Sequence, residues 1–78
     1  MNAKEIIKTA VENKKVVYLG KKENRTIYKV TFFYCDPNGT EEVYIVSDEN
    51  VLENVIEEFS NGCESLFAVA YTEIGKEI

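Results

Sequence analysis

The feature that most constrains this chain is a long strand-forming run that ends in an explicit turn. Thr26 to Cys35 is dominated by β-branched and aromatic residues, the types that suit a pleated, half-buried surface. Asp36-Pro37-Asn38-Gly39 stops the run. Proline sets φ at the second turn position, and glycine supplies the positive φ that a bulged hairpin needs. Glu41 to Val46 reads as the returning strand. Alternation puts Tyr28, Val30, Phe32 and Tyr34 on one face of the first strand, and Ile27, Lys29, Thr31, Phe33 and Cys35 on the other. With Pro37-Asn38-Gly39 as a three-residue loop, Phe32 falls opposite Tyr44, Val30 opposite Val46, and Phe33 opposite Val43; a one-residue slip is the alternative.

The flanking segments read as two helices and two more strands. Asn2 caps a helix in which Ala3, Ile6, Ile7, Ala10 and Val11 share one face, and Asn13-Lys14-Lys15 ends it. Val16 to Leu19 is a short strand closed by Gly20, and Lys21 to Asn24 a polar turn. Ser47 reads as the N-cap of a second helix, with Asp48 and Glu49 in its first turn. Val51, Leu52, Val55, Ile56 and Phe59 form that helix's apolar stripe, and Asn61-Gly62 terminates it. Ser65 to Thr72 is apolar on both faces and reads as a last strand, and residues 73–78 as a frayed tail. The expectation is a two-layer α+β domain of order α-β-β-β-α-β, with an antiparallel meander sheet and both helices on one face. If the helices cover the face of Phe33, Val43 and Ile45, then Tyr28, Phe32, Tyr34 and Tyr44 are left over. The last strand or a homodimer partner would cover them, or they would form a binding surface.

Seventy-eight residues, 45% apolar and 29% charged, suit one small folded domain. No apolar run approaches the roughly 20 residues that cross a bilayer, and the N-terminal segment has no signal-peptide pattern, so no membrane partner and a cytoplasmic location are expected. The chain has no histidine, which removes the commonest general base and most catalytic metal sites. Cys35 and Cys63 have no basic neighbour in sequence and no metal-ligand spacing; they read as reduced thiols, with a disulfide as the alternative. Gly20, Gly39, Gly62 and Gly75 read as turn punctuation rather than a phosphate-binding loop. No catalytic residue, metal or cofactor is expected.

Charge is sorted along the chain. Residues 1–35 carry eight bases and three acids, a balance of +5; residues 36–78 carry eleven acids and Lys76, a balance of −10. The order of a helix, three strands and a helix is similar to that of double-stranded-RNA-binding domains. Those place a lysine cluster at the start of the second helix, where this chain has Ser47-Asp48-Glu49-Asn50. Acids there repel phosphate, so direct nucleic-acid binding is not expected. Glu49, Glu53 and Glu57 follow at four-residue steps, with Glu58 beside them and no lysine between. Like charges at that spacing cost a helix a few tenths of a kcal/mol each. They read either as a solvated surface kept for solubility, or as carboxylates that take the place of phosphates in a basic groove.

The stretches Asn38-Gly39-Thr40-Glu41, Val43-Tyr44-Ile45-Val46-Ser47-Asp48-Glu49-Asn50 and Val55-Ile56-Glu57-Glu58-Phe59-Ser60-Asn61-Gly62 resemble the small phage anti-CRISPR proteins that inhibit the RNA-guided DNA nuclease of type II-A systems. The likeness covers residues 1–62. It implies a DNA mimic that blocks the site reading the short motif beside the target, with Asn38, Gly39, Thr40 and Glu41 at the positions around the turn that contribute. Where that family has a dense acidic run after its second helix, this chain has Leu66-Phe67-Ala68-Val69-Ala70-Tyr71, so contacts made by that run have no counterpart here. The expected function is a non-enzymatic acidic inhibitor, phage or mobile-element derived, acting in the cytoplasm of the infected host on a basic nucleic-acid-handling protein such as a CRISPR effector nuclease. Its expected contacts are Asp36, Asn38, Glu41 and Glu42 at the hairpin end, Glu49, Glu53 and Glu57 along the helix, and Tyr34 or Tyr44 as anchors. The alternative is a small structural or regulatory module that self-associates through the tyrosine-rich sheet face and the last strand.

Overall fold

The computed structural model describes residues 2–13, 16–20, 25–35 and 39–76. The elements run α1 (Ala3–Asn13), β1 (Val17–Tyr18), β2 (Thr26–Tyr34), β3 (Thr40–Ser47), α2 (Glu49–Asn61) and β4 (Leu66–Lys76). The fold is α+β, and the order matches the expectation. Among the described residues no helix is long and apolar enough to cross a membrane.

Both helices pack on one face of the sheet. Ala3, Ile6, Ile7 and Ala10 of α1 and Leu52 and Val55 of α2 share a single core with Tyr28, Val30, Phe32, Val43 and Ile45. The helices form for the reasons their spacing gives. Asn2 Oδ1 accepts the Glu5 N–H at 2.9 Å and so caps α1. Phe59 of α2 meets the Phe32 ring edge-on, with centroids 5.1 Å apart.

The sheet departs from an antiparallel meander. Its order is β1-β3-β2-β4. β1 runs parallel to β3, with Val17 beside Ile45 and Tyr18 beside Val46, and the Leu19 N–H continues the ladder to the Val46 carbonyl. The β2–β3 hairpin is antiparallel, but its register is three residues from the expected one: Val30 lies opposite Val43 and Phe32 opposite Glu41. The Tyr34 N–H donates to the Gly39 carbonyl, so the connection is longer than Pro37-Asn38-Gly39. An odd shift exchanges faces. It puts Val43 and Ile45 with Tyr28, Val30 and Phe32 under the helices, and turns Phe33 to the open side.

Three further expectations are corrected. Ser47 is a buried strand residue, and the N-cap is Asp48, whose Oδ1 accepts the Asn50 N–H at 2.8 Å. Residues 73–76 belong to β4 rather than to a tail, held by pairing with β2 out to Thr26 opposite Lys76. Gly75 therefore lies in a strand, beside Ile27, and not in a turn. β4 lies edge to edge with β2 and covers neither of its faces; Tyr28 and Phe32 are buried by the helices and Tyr34 is half-buried. The turn residues Asp36-Pro37-Asn38, the Lys14-Lys15 helix end, the Lys21 to Asn24 turn and residues 77–78 lie outside the described residues. Gly39 has the positive φ, +72°, that its turn position called for.

Candidate functional site: an acidic flank on the second helix

Helix α2 buries Leu52 and Val55, which turns Glu49, Glu53 and Glu57 outward, all three exposed. Four residues advance a helix by about 6 Å, so the three carboxylates form a ridge along the helix. The ridge overhangs the β2–β4 side of the sheet. The Tyr71 hydroxyl donates to Glu53 Oε1 at 2.9 Å, which ties the helix to β4. The Tyr71 ring stands edge-on to that of Tyr28, with centroids 5.4 Å apart. The two tyrosines thus form an aromatic footing for an acidic collar, joined by Glu73, which pairs with Tyr28 across the strands.

The tyrosines register this field. The hydrogen bond to Glu53 pushes the Tyr71 hydroxyl up to about 12, helped by burial and by the charges of Glu53 and Glu49. Burial raises Tyr28, with the carboxylates of Glu49, Glu73 and Asp48 adding to it and a hydrogen bond from Thr26 opposing it. At this collar a phenolate would be doubly disfavoured, by lost solvent and by like charge. Among the described residues, no lysine or arginine lies within ion-pair distance of Glu49, Glu53 or Glu57.

The remaining expected contacts are dispersed. Glu41 and Glu42 point to opposite faces of β3, as strand alternation requires. Glu41 lies on the helix side, at a hollow of about 250 Å³ shared with Lys4, Lys8 and Tyr34. Burial, and then the hydrogen bond to Glu41, hold the Tyr34 hydroxyl well above its ordinary value. Glu42 lies on the open side and pairs with Lys29 at 3.2 Å. Tyr44 is exposed on the same open face, far in facing from the α2 ridge. Gly39 and Thr40 are exposed at the hairpin end; Asp36 and Asn38 lie outside the described residues. The hairpin end and the α2 ridge are thus two separate surfaces.

Sequence reasoning missed Asp48, Glu73, Tyr28 and Tyr71 as members of the collar. The alternation Val69, Tyr71, Glu73 along one strand face carries the signal, but Glu73 falls beyond the apolar run that marks the strand in the sequence. Both cysteines are free; Cys35 is exposed and Cys63 half-buried. The Cys35 N–H donates to the Ser65 carbonyl, and Cys63 Sγ lies 3.6 Å from Ser65 Oγ. Among the described residues no cluster of three or more histidine, cysteine or acidic residues is arranged to hold a metal ion. Comparisons with protein-family models, with curated proteins and with solved structures return no match.

Proposed function

We propose that the chain is a non-enzymatic acidic inhibitor that binds the basic nucleic-acid groove of a host defence nuclease, as a phage-derived or mobile-element-derived DNA mimic of anti-CRISPR type. The observation that carries the reading is the α2 ridge: three carboxylates in line, joined at one end by Asp48 and Glu73, with no cation in pairing distance among the described residues. A folded surface of one sign concentrates its field on a partner of the other sign. The ridge repeats about every 6 Å, against one phosphate per about 3.4 Å along each strand of duplex DNA. It presents roughly half the charge density of a strand, so arginine forks on the partner would contact alternate positions. The hairpin end contributes less in this reading than the resemblance implied, because Glu42 is neutralised by Lys29 and Glu41 faces the lysines of α1.

The test is binding of the intact chain to a purified, guide-loaded type II-A nuclease at low and high salt. The expected result is an affinity that falls as salt rises, and loss of binding in the Glu49→Lys, Glu53→Lys, Glu57→Lys variant with an unchanged circular dichroism spectrum. Equal affinity in that variant would remove α2 from the contact surface.

A further inference from the structure

Strand β4 forms one edge of the sheet. It pairs with β2 on one side, and among the described residues nothing pairs with its other side. Such an edge presents a row of free N–H and C=O groups, which natural proteins blunt with short strands, prolines, charged side chains or β-bulges. β4 is 11 residues long and has no proline; its charged side chains are Glu73 and the terminal Lys76. Register shifts against β2 fall near both ends, leaving residues 68–73 as a regular run. The two large apolar side chains that stand out from this strand are Phe67, 78% exposed, and Ile74, 54% exposed.

We infer that β4 is a self-pairing edge, which joins β4 of a second copy in antiparallel fashion about a two-fold axis through Tyr71. The strand is self-complementary in size about that residue. Within the regular run Ala70 meets Thr72; counted on through the register shifts, where Phe67 and Ile74 have no partner on β2, Phe67 meets Gly75 of the other copy and Ile74 meets Ala68, so each exposed bulky side chain falls opposite a small one. An aromatic across from a strand glycine restores the packing that the glycine lacks. Moving the axis to Ala70 would set Phe67 against Glu73 and Ile74 against Leu66, losing this match. The product is a continuous eight-stranded sheet with both helical layers on one side.

This inference is independent of the acidic-partner reading, and the two respond to salt in opposite directions. The axis brings the two α2 ridges towards each other, since Glu53 already reaches Tyr71. Salt screens that repulsion, so the self-pairing strengthens with salt whereas binding to a basic partner weakens.

The test is sedimentation of the intact chain over a range of concentrations at low and high salt, for the native sequence and for the Phe67→Lys, Ile74→Lys variant. The expected result is a monomer–dimer equilibrium that high salt favours and that the variant abolishes while keeping its circular dichroism. A native chain that stays monomeric at every concentration and salt overturns the inference, as does a dimer that survives the double substitution. If the variant does not fold, amide exchange on the native chain decides. Slower exchange within residues 68–73 as concentration rises supports the pairing, and exchange independent of concentration overturns it.

Discussion

Phe32 and Phe33 are neighbours of identical chemistry on β2. Phe32 is fully buried against Phe59, whereas Phe33 stands 36% exposed on the opposite face. The same contrast runs across the sheet. Under the helices lie Tyr28, Val30, Phe32, Val43 and Ile45, all nearly inaccessible. On the other side Tyr44 is exposed and Lys29 pairs with Glu42. The open face is not uniformly bare: Val46 is buried beside Ile27 and Tyr18, with Arg25 lying 5.1 Å over the Tyr18 ring. The contrast teaches that apolar character alone does not locate the core of a small sheet; register and cover decide it.

The largest expected effect tests that contrast directly. Phe32→Ala removes a fully buried ring and should cost about 3–5 kcal/mol, enough to unfold much of a domain of this size. Phe33→Ala, one residue away, should stay within about 1 kcal/mol. Urea unfolding of both variants checks this, and equal costs would break the distinction between the faces.

High pH should act next, and through the covered face. Tyr28, Tyr34 and Tyr71 all have hydroxyls raised above the ordinary value of 10.0, Tyr71 to about 12. Their protonated forms are favoured in the folded chain. Between the ordinary value and the raised one the unfolded chain binds fewer protons than the folded chain, so stability falls as pH rises. Their contribution should be intact below pH of about 10 and lost progressively through about 12. Thermal melts across that window, paired with the tyrosinate absorbance, measure it; a melting temperature flat through the window would contradict these environments.

Smaller effects sharpen the picture at its borders. Asp48→Ala removes the cap that holds α2 over the sheet and should cost about 1 kcal/mol, read as a lower urea midpoint with an unchanged slope. A double-mutant cycle on Lys29 and Glu42, whose side chains are 41% and 51% exposed, should find a coupling of only about 0.2–1 kcal/mol. A larger coupling would mean that the open face is less solvated than it looks.

The elements were legible in the sequence where one periodicity dominated. The Asn2 cap, the Ile6-Ile7-Ala10 face and the Leu52-Val55 stripe each have a single reading, and α1 and α2 follow them. The faces of β2 were not legible, because Phe32 and Phe33 make both sides apolar and alternation offers no choice between them. The register hung on the loop length, and an odd error there reversed every facing. β1 is two residues long, too short to announce that it runs parallel to β3. Of the candidate site, the α2 ridge could be read from its four-residue steps. Its junction with Tyr28, Tyr71 and Glu73 depends on strand pairing between distant segments, which no local pattern encodes.

That distant pairing also bears on how quickly the molecule assembles. The β2–β3 hairpin closes within a few residues, whereas Lys76 reaches Thr26, to which it donates a 3.2 Å hydrogen bond, across 50 positions. Closing the longer loop carries the larger entropic barrier, and topologies rich in remote contacts fold slowly. The expected order is hairpin and helices first, β4 last. Val43→Ala should therefore slow refolding, while Val69→Ala should leave refolding nearly unchanged and accelerate unfolding; stopped-flow chevrons showing the reverse pattern would refute that order. During the interval β2 would itself be a bare edge, so the chain's most exposed moment in time falls on the strand that ends up most protected in space.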